Sequence, residues 1–160
     1  MRKPMNKKFD DQKYEKVMFR LQKDEDGYPP DDWESLWAYE VEPGLYSIDN
    51  VPFFARGVSW GDVVAVERHD DELHFKEVVH PSDHTVLRVI VYDQTRVGEL
   101  HDKLKEMSCD TEQSHLPSLL TVDVPPTADL NKILEYLSDG EDEGRWTYEE
   151  ASIRHFQSSK

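Results

Sequence analysis

"TVLRVIVYDQTRVGELHDKLKEMS", residues 85–108, changes its hydrophobic period partway along, and that change sets the fold class. Over the first part Leu87, Val89 and Val91 fall on every second position, which puts them on one face of a strand. From Thr95 onward Val97, Leu100, Leu104 and Met107 recur every three or four residues, the spacing of a stripe along a helix. A strand therefore runs into an amphipathic helix.

Downstream the rhythm repeats. "CDTEQS" (109–114) reads as a short edge strand and "SLLTVDV" (118–124) as a buried one. "PPTADLNKILEYL" (125–137) predicts a second helix striped by Leu130, Ile133, Leu134 and Leu137. Thr127 is its expected N-cap, Asp129 falls in its first turn, and Gly140 takes the position just past its end. "RWTYEEASI" (145–153) completes the order strand, helix, strand, strand, helix, strand. That order is ferredoxin-like and usually gives an antiparallel sheet with both helices on one face.

Upstream the chain is mostly β. "EKVMFRLQ" (15–22) alternates Val17, Phe19 and Leu21 with polar residues, and "KDEDGYPPDD" (23–32) is a loop. "WESLWAYEVE" and "LYSIDN", joined at Pro43-Gly44, predict a hairpin in which Leu36, Ala38 and Tyr39 pair with Leu45, Tyr46 and Ile48. "GDVVAVERHDDELHFKEVV" (61–79) predicts another, with a charged tip from Arg68 to Glu72. Between the hairpins, Asp49 and Asn50 are expected to cap a turn, Pro52 to fix its entry and Asp62 to hold a backbone amide. Gly57 and Gly61 permit bends, while Phe53 and Phe54 point to opposite sides, so that one ring fills the core and the other bridges to the second half.

The expected fold is thus α+β. An N-terminal half, small β-barrel-like or curled (14–79), packs on a C-terminal ferredoxin-like β-α-β-β-α-β half (85–153). A flexible arm (1–13) and tail (154–160) flank them, and residues 80–84 form the linker.

The run Glu34-Ser35-Leu36-Trp37, Gly44-Leu45-Tyr46, Asp49-Asn50-Val51-Pro52-Phe53-Phe54 and Gly61-Asp62-Val63-Val64 resembles the bacterial domain-of-unknown-function 4265 family, with the likeness reaching about residue 150. Such proteins tend to carry glycine where this chain has Asp70-Asp71 and Asp83. The resemblance implies a bacterial cytoplasmic setting and a β-then-α/β layout. It implies no activity and carries over no catalytic residue.

Composition narrows the function. With 34 acidic against 19 basic residues in 160, a net charge of −15 opposes the phosphate backbone of nucleic acid and favours encounter with a basic protein. The single cysteine, Cys109, precludes an intrachain disulfide and a thiolate cluster, as fits a reducing compartment. No apolar run approaches membrane-spanning length, so the expected setting is cytoplasmic, without a membrane. No glycine-rich phosphate loop, G-x-S-x-G elbow or dinucleotide fingerprint occurs, and no catalytic residue, cofactor or metal is expected. His80, Asp83 and His84 come nearest to ligand spacing but offer at most two imidazoles on a proline-bearing loop.

The expected function is a small, acidic, non-catalytic protein-binding protein of the immunity or antitoxin kind, monomeric or homodimeric, that neutralises a basic toxin domain. Its partner-binding residues are Asp31, Asp32, Trp33 and Trp37 in the first half and Glu141, Asp142, Glu143 and Trp146 in the second. The alternative is a small-molecule-sensing or regulatory domain. A third class, an enzyme using histidine and carboxylate, requires a histidine to approach a carboxylate inside a cleft.

Overall fold

The computed structural model describes residues 13–155, and the chain divides into two compact units at the Ser82–Asp83 boundary. Most of the expected arm and tail lies outside the described residues. Arg154 and His155, assigned to the tail by sequence, are hydrogen-bonded to Thr85, and His155 also reaches the Pro125 carbonyl.

In the first unit β1 (Tyr14–Arg20), β2 (Trp33–Glu42), β3 (Leu45–Ile48), β4 (Val63–His69) and β5 (Glu72–His80) close a barrel in sequence order. Successive strands pair antiparallel, and a parallel pairing of β1 with β5, Val17 opposite Leu73, closes the ring. The alternation read from sequence is the cause: Val17, Phe19, Leu36, Ala38, Ile48, Val64 and Leu73 point inward into one buried cluster. Phe19 and Phe75 stack within it at 4.6 Å. Register shifts in β2 and β4 add the curl that closure needs. Asp70 turns the last hairpin with φ +56, a conformation aspartate tolerates better than most residues. In the β2–β3 hairpin the ladder begins only at Ala38, opposite Ile48, so Leu36 pairs with Val17 of β1 rather than with β3.

A loop of residues 49–62 crosses from β3 to β4, and carboxylates organise it. Glu34 accepts three successive backbone N–H groups, from Phe53 (2.7 Å), Phe54 (3.1 Å) and Ala55 (2.8 Å). Asp49 and Asn50, expected as turn caps, also reach residues well beyond their own turn. Asn50 Oδ1 accepts the Trp37 N–H at 2.7 Å, and Asp49 Oδ1 accepts the Trp60 indole N–H at 2.9 Å. Asp62, fully buried, takes the amides of Ser59 (2.9 Å) and Ser82 (2.7 Å), the backbone-holding role read from sequence. Gly57 and Gly61 adopt φ +74 and +85, bends that a side chain would strain. Neither phenylalanine is fully buried. Phe54 lies half-buried against the core with its ring edge-on to Tyr28, and Phe53 is half-buried outside the core cluster, because the backbone there is turned toward Glu34 rather than extended.

The second unit is a four-stranded sheet, ordered β7-β8-β6-β9, with all neighbours antiparallel and two helices. Its elements are β6 (Thr85–Val91), α1 (Val97–Glu106), β7 (Asp110–Gln113), β8 (Leu119–Val124), α2 (Leu130–Asp142) and β9 (Trp146–Ser152). Leu87, Val89 and Val91 share one side of the sheet with Leu120, Val122 and Val124, and both helices bury their stripes there. The ends of α2 differ from expectation. Asp129, not Thr127, is the N-cap: its backbone is still extended, and its carboxylate accepts the Lys132 N–H at 3.2 Å. Gly140 lies inside the helix rather than beyond it. The turn that ends α2 uses Gly144 (φ +76), with Gly144 N–H donating to Glu141 and Arg145 N–H donating to Gly140, the double bond of a Schellman motif.

Gly140 is required by packing. A Cβ there would stand 2.0 Å from Cζ2 of Trp146, so Gly140→Ala is expected to lower stability by about 1–3 kcal/mol despite alanine's higher helix propensity. Gly98→Ala in α1, where nothing lies within 4 Å, should be neutral or stabilising in the same urea titration. A stabilised Gly140→Ala protein would contradict the packing account. Glu34→Gln, which removes the charge and one acceptor from the 49–62 loop, is expected to cost about 2 kcal/mol, whereas exposed Glu42→Gln should change stability by less than about 0.5 kcal/mol.

Candidate functional site

In the first unit the expected partner residues lie on or beside the outer wall of the barrel. Trp33 and Trp37 share a strand face opposite to the inward Leu36 and Ala38. Trp33 is 38% exposed, high for so large an apolar side chain, and carries Arg20 over its ring at 5.4 Å and the His74 ring edge-on at 5.2 Å. Asp31 and Asp32 precede it, both exposed. Lys23 shapes their loop by donating to the carbonyls of Pro29 (2.6 Å) and Asp31 (3.0 Å) and pairing with the Asp32 carboxylate at 3.3 Å. Trp37 is half-buried beneath Lys16, whose ammonium stands 5.1 Å from the ring centroid.

In the second unit Glu141, Asp142 and Glu143 are exposed where α2 ends, but Trp146 is not a surface anchor. It is only 4% exposed and donates its indole N–H to the Leu137 carbonyl at 2.8 Å. The expectation failed because "RWTYEE" places Trp146 beside acids in sequence, while the strand turns its ring onto Gly140.

The same corner of this unit holds a cleft of about 390 Å³ between the end of β6, the start of α1 and the end of α2. Arg96 and Arg145 stand in its walls, with Tyr92 and Tyr136. Arg96 Nε pairs with Glu99 at 2.7 Å, Arg145 Nη2 pairs with Glu143 at 2.9 Å, and the Arg145 guanidinium lies over Trp146 at 4.7 Å. Burial raises the Tyr136 phenol pKa, opposed by the charge of Arg145, so the hydroxyl keeps its proton. Sequence reasoning passed over all four cleft residues. The one available signal was "YDQTR" (92–96), a polar break between a strand and a helix, which is a common place for a binding loop.

Elsewhere histidines meet carboxylates. His84 Nδ1 bonds Asp123 at 2.8 Å in a largely buried pair, and His74 meets Glu72 at 3.3 Å on the exposed barrel wall. Neither pair lines the cleft. A second depression of about 400 Å³ lies between α1 and β7, where His101 Nδ1 bonds the Thr111 hydroxyl without a carboxylate. Burial, then Asp123 and Asp110, pushes the Cys109 thiol up to about 12, so it carries no thiolate at neutral pH. Among the described residues no three histidine, cysteine, aspartate or glutamate side chains converge as metal ligands, and no helix is long and apolar enough to cross a membrane.

Comparison with known proteins places this architecture. No curated protein matches the chain. A crystal structure described as that of a hypothetical protein from Neisseria gonorrhoeae superposes with a TM-score of 0.75 over 89% of this chain and 96% of that one, at 24% identity, a likeness of fold alone. The profile of a family described as "Domain of unknown function (DUF4265)" matches residues 34–148. That span begins at the carboxylate holding the crossing loop and ends within the last strand, and the chain belongs to this family.

Proposed function

We propose that this protein is a small, acidic, non-catalytic protein-binding protein of the immunity or antitoxin kind, which neutralises a basic toxin domain in the bacterial cytoplasm. The observation that carries the reading is Trp33, an exposed indole on a rigid strand with Asp31 and Asp32 beside it. An aromatic anchor of this kind supplies contact area, and the net charge of −15 speeds encounter with a cationic partner. Trp146, being buried, has no part in the face; Glu141, Asp142 and Glu143 add to the field. For the second unit a ferredoxin-like arrangement is supported by the antiparallel order β7-β8-β6-β9 with both helices on one side. A second reading, a domain that senses a small molecule, is favoured by the arginine-bearing cleft.

The test is recovery of a stoichiometric basic partner with the tagged full chain from its native host, followed by calorimetry. Trp33→Ala should weaken that complex by about 2 kcal/mol, roughly thirtyfold in Kd. Asp31→Asn with Asp32→Asn should instead slow association and flatten its salt dependence. Absence of a stoichiometric partner, or a complex indifferent to Trp33, would sink the reading.

A further inference from the structure

Two guanidiniums line one cleft of a strongly acidic chain, and each is paired there with an exposed glutamate. The side chains of Glu99 and Glu143 are 67% and 61% exposed, so their pairs with Arg96 and Arg145 are surface ion pairs of little net worth, which an incoming anion can replace. Both arginines are anchored at the backbone, and Arg145 at its side chain as well. Arg145 is stacked on buried Trp146, and its backbone is locked by the Schellman turn, while Arg96 ends a 3-10 turn capped by Asp93.

We propose that this cleft binds a small planar molecule bearing a single carboxylate, gripped by Arg96 and Arg145 while its ring lies against Tyr92; the inference rests on the small-molecule reading and names its ligand class. Size fits a molecule of one or two rings, since about 390 Å³ lies within the usual range of small-ligand sites. Shape and polarity fit as well: Val91, Leu100 and Trp146 supply apolar surface, and Tyr92 is 63% exposed. The guanidinium fork matches a carboxylate in two parallel hydrogen bonds.

Charge selects the class further. Asp93, Glu99 and Glu143 share the lining with the two arginines, and Asp93 is already committed to the Thr95 amide (3.0 Å) and hydroxyl (2.6 Å). A monocarboxylate brings a single negative charge, the least an anion can add to a lining that already holds three carboxylates, and it presents the flat two-oxygen edge that each guanidinium fork fits. A polyphosphate meets repulsion from the displaced acids, and a cationic ring leaves both arginines unused.

The experiment titrates the nitrogen-15-labelled full chain with benzoate, indole-3-acetate, ATP and benzylamine, following the arginine Nε–H and Trp146 indole signals. Saturable shifts with both carboxylates and none with ATP or benzylamine are expected, with Arg96→Gln weakening binding at least tenfold. Because Arg145 packs on Trp146, Arg145→Lys is the paired variant. It keeps a cation over the ring but loses the fork, and it should also weaken binding. Saturation by ATP or benzylamine alone would overturn the ligand class while leaving a small-molecule site in place. No shift at the cleft with any probe would overturn both, and carboxylate binding that survives Arg96→Gln and Arg145→Lys would remove the assigned grip.

Discussion

Three successive amides converging on the Glu34 carboxylate hold the first unit together at the longest crossing in its barrel, from β3 to β4. A fourteen-residue segment without a strand carries many backbone donors that need partners, and helix or ladder bonds do not supply them here. Glu34 on β2 takes three of those donors and Asp62 at the entry to β4 takes the Ser59 amide, while Asp49 accepts the Trp60 indole N–H and Asn50 ties the loop back to the Trp37 N–H of β2. These acids are therefore components of the fold. With the loop held, Ala55 and Val58 add to the barrel core and β4 enters in register to pair with β5.

The second unit has a corresponding constraint in the fit of Trp146 over Gly140. The indole replaces the side chain that the helix lacks, its N–H satisfies the Leu137 carbonyl, and the turn at Gly144 follows from the direction the chain must then take. One consequence reaches the surface. Arg145, next in line, is laid over the indole, which creates one wall of the cleft and fixes a cation beside Tyr136. Core packing and site construction share Trp146, which fills the space over Gly140 and underlies Arg145.

The large negative charge thus divides by role. Glu34, Asp49, Asp62 and Asp123 are tied to donors within the fold, while Asp31, Asp32, Glu141, Asp142 and Glu143 face solvent and make the field that a partner would meet. Counting charge from composition treats the two sets alike, yet the first also builds the fold, while both contribute to the summed field.

The sequence by itself determined the element types and their order, because the period of two in β1, β4 and β6 and of 3.6 in α1 and α2 is a local property of which side chains can be buried together. It also determined that Asp62 would hold backbone amides, and it carried the family likeness that the match over residues 34–148 bears out. Only the tertiary structure decided which aromatic rings are buried. Trp33 and Trp146 look alike beside their acids, and what separates them is a glycine six positions from Trp146 that leaves room for its ring. It alone also decided that Asn50 serves β2, that α2 runs past Gly140, and that Arg96 and Arg145 share a cleft. Asn50 with Trp37, and Arg96 with Arg145, are separated along the chain and meet only in space, and even the fit of Trp146 over Gly140 six residues earlier depends on how a strand folds back on a helix, which no periodicity encodes.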